Sequence, residues 1–272
     1  MTDSELLKDG ERIDDLQCNG FRIIQNPAHF CFGMDAVLLA NFTTGKKSGR
    51  GMDLGTGTGI IPLLMLAKSK AASFTAIEIQ EHMADMAARS AELNGVSDRL
   101  KVITGDICNI VKHRKTNLRS DDPDGSSSAE SDINDKTIDV PRESCDIVTS
   151  NPPYIVDNGG LQNPKDSINI ARHEILVKLE DIVEAASYLL KVGGCFSMVH
   201  KPFRMAEVFS IMKKYSLEPK RLQMVQPREG SEPSVFLVEA IKGGRSGLKL
   251  LPALNVYNTD GSYTRELLAY YN

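Results

Sequence analysis

Long apolar runs, paired metal-ligand spacings and an ordered cysteine framework are all missing from this chain, and each absence removes a class of protein. The longest apolar stretch, residues 60–67, is broken by Pro62 and is far too short to span a bilayer. The first twenty residues carry Asp, Glu and Lys with no apolar core, which predicts no signal peptide and a cytoplasmic protein. Five cysteines (Cys18, Cys31, Cys108, Cys145 and Cys195) are scattered with no Cys-x-x-Cys pair, so reduced thiols are expected rather than disulfides or a zinc knuckle. The histidines show no His-x-x-x-His spacing, and no metal is expected. There is no internal repeat.

What is present is ordinary in bulk and uneven in detail. A length of 272 residues, 41% hydrophobic and 25% charged, suits a soluble globular protein with a sizeable core. The net charge of −4 sums unlike segments. Residues 114–143 hold five basic and eight acidic side chains, whereas residues 195–230 hold seven basic and three acidic. A locally basic region is compatible with RNA, which responds to the nearby field more than to the total charge. A solvated face is the plain alternative for any single lysine.

Strand and helix patterns alternate through the middle of the chain. Strands are expected over 51–54, 73–79, 99–104, 145–150 and 195–200, and helices over 60–68, 81–93, 179–190 and 204–215. Asn94-Gly95 and Gly193-Gly194 supply helix stops. Such alternation predicts an α/β fold with a parallel sheet covered on both faces. The last two strand runs, 217–225 and 234–241, have no helix between them and read as a terminal antiparallel pair. That ending fits the class I S-adenosylmethionine (SAM)-dependent methyltransferase fold: Rossmann-like, seven-stranded and mostly parallel with an antiparallel C-terminal pair. The glycines agree, since Gly55, Gly57 and Gly59 alternate where a dinucleotide fingerprint requires G-x-G-x-x-G. Residues 50–272 are read as this domain. Residues 1–49 are read as a hairpin and helix packed on it. About 113–143, poor in apolar residues, reads as a mobile insertion.

Four strand ends carry candidate cofactor ligands. At Asp53-Leu-Gly55-Thr56-Gly57, the glycines let a ligand approach bare backbone, and Asp53 suits the amino group of SAM. Glu78, followed by Ile79, suits two ribose hydroxyls, and Asp106 suits an adenine amino group with Ile107 as apolar cover. Singly, each is equally a turn or a cap; four in this order point to SAM, leaving S-adenosyl-L-homocysteine as product.

Straight after the strand at 145–150 comes Asn151-Pro152-Pro153-Tyr154. An exocyclic amino group of adenine or cytosine, or a glutamine amide, has a delocalised lone pair. Two fixed acceptors on its N–H bonds aim that lone pair at a methyl. The Asn151 side-chain oxygen and the Pro152 carbonyl supply them. The prolines stiffen the loop, and Tyr154 offers a stacking face. Asn151 also borders the cofactor, and Pro153 and Tyr154 the substrate. Outside such a framework, Asn-Pro would read as a turn.

These motifs, with Ala76-Ile-Glu78-Ile, Phe30-x-Phe32-Gly33-x-Asp35 and Ala171-Arg172-His173-Glu174, together resemble the bacterial tRNA1(Val) (adenine-37-N6)-methyltransferases. The stretch from Ile241-Lys242-Gly-Gly-Arg245 to Asp260-Gly-Ser-Tyr263-Thr264 resembles their Gram-positive branch. The resemblance covers nearly all the chain except the insertion. It implies N6 methylation of an adenine in a tRNA anticodon loop, where a base is splayed out at small cost. It also implies that Phe32 and Asp35 close over the cofactor, Arg172 and His173 sit near the substrate entrance, and Lys242 and Arg245 contact phosphate. No obligatory protein partner is implied, and monomer and homodimer both stay open. The rival readings are a release-factor glutamine N5-methyltransferase, an N6-adenine DNA methyltransferase, and a SAM- or RNA-binding protein that has lost the chemistry. The first expects an N-terminal helical bundle, and the second a target-recognition domain.

Overall fold

A computed structural model describes residues 3–28, 31–111, 138–153 and 177–271. The chain begins with a hairpin, β1 (Arg12–Asp15) and β2 (Arg22–Gln25), followed by α1 (Met34–Phe42). An alternating series follows: β3 (Arg50–Leu54), α2 (Ile60–Ala67), β4 (Ser73–Glu78), α3 (Glu81–Leu93) and β5 (Leu100–Thr104). It resumes with β6 (Cys145–Ser150), α4 (Leu179–Leu189), β7 (Leu190–His200) and α5 (Met205–Lys214). The chain ends with β8 (Leu217–Gln226), β9 (Val235–Lys242), β10 (Lys249–Leu250), β11 (Leu254–Asn255) and α6 (Arg265–Leu268).

Among the described residues, nine strands form one sheet in the order β10-β8-β9-β7-β6-β3-β4-β5, with β11 also on β8. Strands β3 to β7 are mutually parallel, and β9 runs antiparallel between β7 and β8. The seven expected strands are all there. β10 and β11 extend the sheet along the outer edge of β8, two residues at a time. Strands this short carry no periodicity to read, so only the neighbouring edge defines them.

Every residue of α2 is buried, because it lies between the sheet and α1. Each fully buried Leu or Ile there contributes about 1.5–3 kcal/mol. The opposite face of the sheet is covered by α4 and α5. α3 ends where Asn94-Gly95 predicts, with Gly95 at φ +62°. The Asn94 side chain does more than stop the helix: its Oδ1 accepts the Arg22 N–H at 2.8 Å and its Nδ2 donates to the Arg22 carbonyl at 2.6 Å. Ser90 Oγ accepts the Ile24 N–H at 2.9 Å. These bonds dock the N-terminal hairpin on α3.

Two expectations need correcting. β7 begins five residues before the strand run at 195–200, because Gly193 at φ +82° turns a bulge that the pairing with β6 absorbs as a register shift. The expected insertion over 113–143 is packed at its far end: Ile138 is 5% exposed within the core formed by Ile107 and Ile110. A side chain on Gly105 would meet Ile138 Cδ1 at 2.8 Å. Residues 112–137 lie outside the described chain. Among the described residues, no helix is long and apolar enough to cross a membrane.

Candidate active site at the carboxyl edge of the sheet

Strands β3, β4, β5, β6 and β7 all finish at one edge, and a parallel sheet places its ligand sites there. The loop after β3 crosses to β4: the Gly55 and Thr56 N–H groups donate to the Ile77 carbonyl at 2.9 and 3.0 Å. Gly55, Gly57 and Gly59 all take positive φ, which L side chains resist. A Cβ on Gly55 would meet nothing within 4 Å, and one on Gly57 would meet only the Met83 methyl at 3.8 Å. The outer face of this loop is therefore open. Gly59 serves packing instead, since its Cβ would meet Ala87 Cβ at 3.2 Å.

Two carboxylates support the loop from beneath. Glu78 is buried, and its two oxygens accept N–H bonds from Gly57 at 2.8 Å and Gln80 at 2.9 Å. It thus holds the loop as well as facing the edge, and one lone pair remains on each oxygen. Asp53 is 0% exposed, and burial pushes its pKa up to about 6. A 2.6 Å hydrogen bond from Thr149 Oγ1 to Asp53 Oδ1 draws it down, and the charge on Glu78 raises it. Thr56 also stands close enough to draw it down. Even so, Asp53 Oδ2 and Thr56 Oγ1 find no partner in hydrogen-bond geometry. Two orphaned buried oxygens beside an open glycine loop fit the ammonium end of SAM, alone or through water.

Ser150 Oγ donates to the Leu54 carbonyl at 2.8 Å, so hydroxyls on β6 stitch its end to β3. Sequence reasoning missed Thr149 and Ser150. Their signal was two hydroxyl residues closing a strand whose other residues, Asp146 apart, are buried and apolar. Ser150 pairs with Leu54, so half-buried Asn151 and Gly55 each follow directly on the last paired residues of these neighbouring strands. Pro152 is buried and Pro153 exposed. On the other flank Thr104 pairs with Glu78, and Asp106 follows, its Oδ1 accepting the Cys108 N–H at 2.8 Å. Ile79 is half-buried and Ile107 buried. The row Asp106, Glu78, Gly55, Asn151 spans three strand spacings, about 14 Å, matching a nucleoside joined to an amino-acid chain.

His200, also missed, closes β7 at the same edge. Burial, with Arg204 adding to it, lowers its pKa to about 4, and its Nδ1 accepts the Lys201 N–H at 2.8 Å. The ring is neutral at physiological pH.

Tyr154, Arg172 and His173 lie outside the described residues. Lys242 and Arg245 do not reach this edge. Because β9 runs antiparallel, its last residue Lys242 pairs with Leu217 at the start of β8, on the opposite edge. Lys242 Nζ donates to the Leu190 carbonyl at 2.7 Å and to Glu143 at 3.2 Å, with its side chain only 11% exposed. It is a structural cation rather than a phosphate ligand for this site. Arg245 is exposed beyond that same far edge.

Fold and site define the class: a class I SAM-dependent methyltransferase. Residues 22–119 match the Methyltransferase small domain. Its curated relatives include the tRNA1(Val) (adenine(37)-N6)-methyltransferase of Bacteroides fragilis, 28% identical over 88% of this chain and 90% of that one. The enzyme of the same name from Photobacterium profundum is 25% identical over 86% and 87%. Among solved structures, a predicted O-methyltransferase from Agrobacterium tumefaciens superposes with a TM-score of 0.62 at 26% identity, over 88% of this chain and 95% of that one. TYW2 of Pyrococcus horikoshii, in complex with MeSAdo, reaches a TM-score of 0.53 at 15% identity, over 87% and 73%, which speaks to fold alone.

Proposed function

We propose that this chain transfers a methyl group from SAM to N6 of an adenine in the anticodon loop of a tRNA, adenine 37 of tRNA1(Val) being the target its relatives name. The observation that supports this most is the placement of Asn151-Pro152 one strand from the open Gly55–Gly57 loop. When bound, the cofactor supplies an electrophilic methyl on a sulfonium. The chain's own residues do the rest. Asp53 and Thr56 receive the ammonium end, Glu78 the ribose, and Asp106 the adenine amino group under Ile107 and Ile79. Asn151 Oδ1 and the Pro152 carbonyl accept the two N–H bonds of the substrate amine, so its lone pair turns toward the methyl. Pro152 is buried, which fixes that carbonyl. Tyr154 and Pro153 stack on the flipped base.

The test is transfer of a tritiated methyl from SAM to bulk tRNA from a strain lacking the gene, followed by nucleoside analysis. N6-methyladenosine in the digest is expected. Transfer to a release factor instead, with tRNA silent, would replace this reading with the glutamine enzyme.

A further inference from the structure

The cofactor candidates occupy the ends of β3, β4 and β5, so substrate must extend over the other half of the edge. That half is formed by β7, the start of β9, the end of β8, and β11. Beyond β11 the chain makes a tight hairpin in which Tyr257 and Tyr263 bridge and stack, with ring centroids 5.3 Å apart and planes 19° from parallel. Tyr257 is the fixed member, half-buried against the core. Tyr263 lies over it with 46% of its surface exposed. Arg228, exposed at the end of β8, places its guanidinium carbon 6.0 Å from the Tyr257 ring centroid.

The hairpin is held rigidly. Asn258 Nδ2 donates to Ser262 Oγ at 3.0 Å and to the Tyr263 carbonyl at 3.1 Å, and Asp260 Oδ1 accepts the Ser262 N–H at 2.9 Å. Thr264 Oγ1 donates to the Asn255 carbonyl at 2.7 Å, and the Tyr257 N–H to the Pro227 carbonyl at 2.8 Å. An exposed aromatic face held this firmly loses little entropy when something stacks on it.

We propose that Tyr263 on Tyr257, with Arg228 alongside, is a stacking platform for an unpaired base flanking the target adenine; this rests on the RNA-methylation reading above. Four strand steps separate the ends of β6 and β11, roughly 19 Å. A few nucleotides of a single-stranded loop cover that span, since even stacked bases advance ~3.4 Å each. The local charge argues for stacking rather than phosphate capture. Arg228 and Arg265 are accompanied by exposed Glu229, Glu232 and Glu266, while Asp260 is turned in on Ser262. The platform is therefore near neutral, and every base has a face that it accepts.

The experiment is steady-state methylation of an anticodon stem-loop RNA by the full chain, with Tyr263→Ala, Tyr263→Phe and Arg228→Ala. Loss of one stacked base raises KM for RNA by about tenfold in Tyr263→Ala, within the measured range for such platforms, with kcat and SAM affinity held. Tyr263→Phe keeps wild-type KM, and Arg228→Ala raises it by a few-fold. A 2-aminopurine next to the target is quenched on binding wild type and Tyr263→Phe, but not Tyr263→Ala. Unchanged KM in both alanine variants, with wild type active on the RNA, overturns the platform alone. A wild-type chain that methylates no RNA overturns the platform and the RNA reading together.

Discussion

Asn151 and Asp53 separate chemistry from binding at the level of single residues. Asn151 is assigned to the substrate amine in the transition state, so Asn151→Ala should leave SAM affinity nearly unchanged. Transfer should fall by about a hundredfold or more, as for loss of one positioned acceptor; calorimetry with SAM and single-turnover rates measure the two effects. Asp53 acts in the opposite sense. Its folded pKa, about 6, lies above its ordinary 3.8, so the folded chain holds a proton that the unfolded chain releases between these values. This group therefore favours folding most below about pH 4, and that contribution is lost as pH rises through 6. Ionisation at neutral pH costs the ligand-free protein about 3 kcal/mol at most. Asp53→Asn should thus raise the melting temperature at pH 7.5 while weakening SAM binding, and SAM affinity of the wild type should fall as pH drops below 6. A variant both less stable and unaltered in SAM affinity would remove Asp53 from the site.

Elements owe their positions to side chains that do two things at once. Asn94 ends α3 and clamps β2 through three side-chain hydrogen bonds, counting the 2.6 Å bond to the Ser90 carbonyl. Asn94→Ala leaves the Arg22 N–H and carbonyl to seek new partners, a loss of about 1–3 kcal/mol. Hydrogen exchange should quicken first in β1 and β2. Uniform loss of protection across the sheet would show that the hairpin does not open by itself. Ile138 plays a similar part at the end of the expected insertion. Ile138→Ala should cost about 2–4 kcal/mol, read by denaturant unfolding, because it removes the side chain that covers Gly105 and Ile107.

On the scale of the whole molecule, the reversal of β9 decides which cations can meet the substrate. Lys242 and Arg245 follow the basic-rich stretch 195–230 in sequence, yet the antiparallel strand delivers them to the edge opposite Asn151. Lys242→Ala should lower stability, since it strands the Leu190 carbonyl, and should leave KM for RNA within twofold of wild type. Arg245→Ala should change neither. A KM raised several-fold in both would return them to the substrate surface. β8 and β11 run parallel to β7 instead, which puts Arg228, Tyr257 and Tyr263 at the same edge as Asn151, although nothing in their spacing along the chain relates them to it.

The sequence by itself determined the succession of strands and helices along the chain, the glycine loop after β3 and the Asn-Pro-Pro-Tyr tetrapeptide proposed to hold the substrate amine. These follow from local rules: apolar periodicity, the backbone freedom of glycine, and the restriction that proline imposes on its neighbours. The strand ends at Ser150, the helix over 81–93 and the stop at Asn94-Gly95 are legible for that reason. Only the tertiary structure decided which side chains share an edge. Thr149 reaches Asp53 across 96 residues of chain, β10 and β11 exist because β8 has an unpaired edge, and Lys242 is tied to the Leu190 carbonyl because β9 points away from the site. Such contacts depend on strand order and direction, which fix the surroundings of a residue without leaving a mark on its neighbours in sequence.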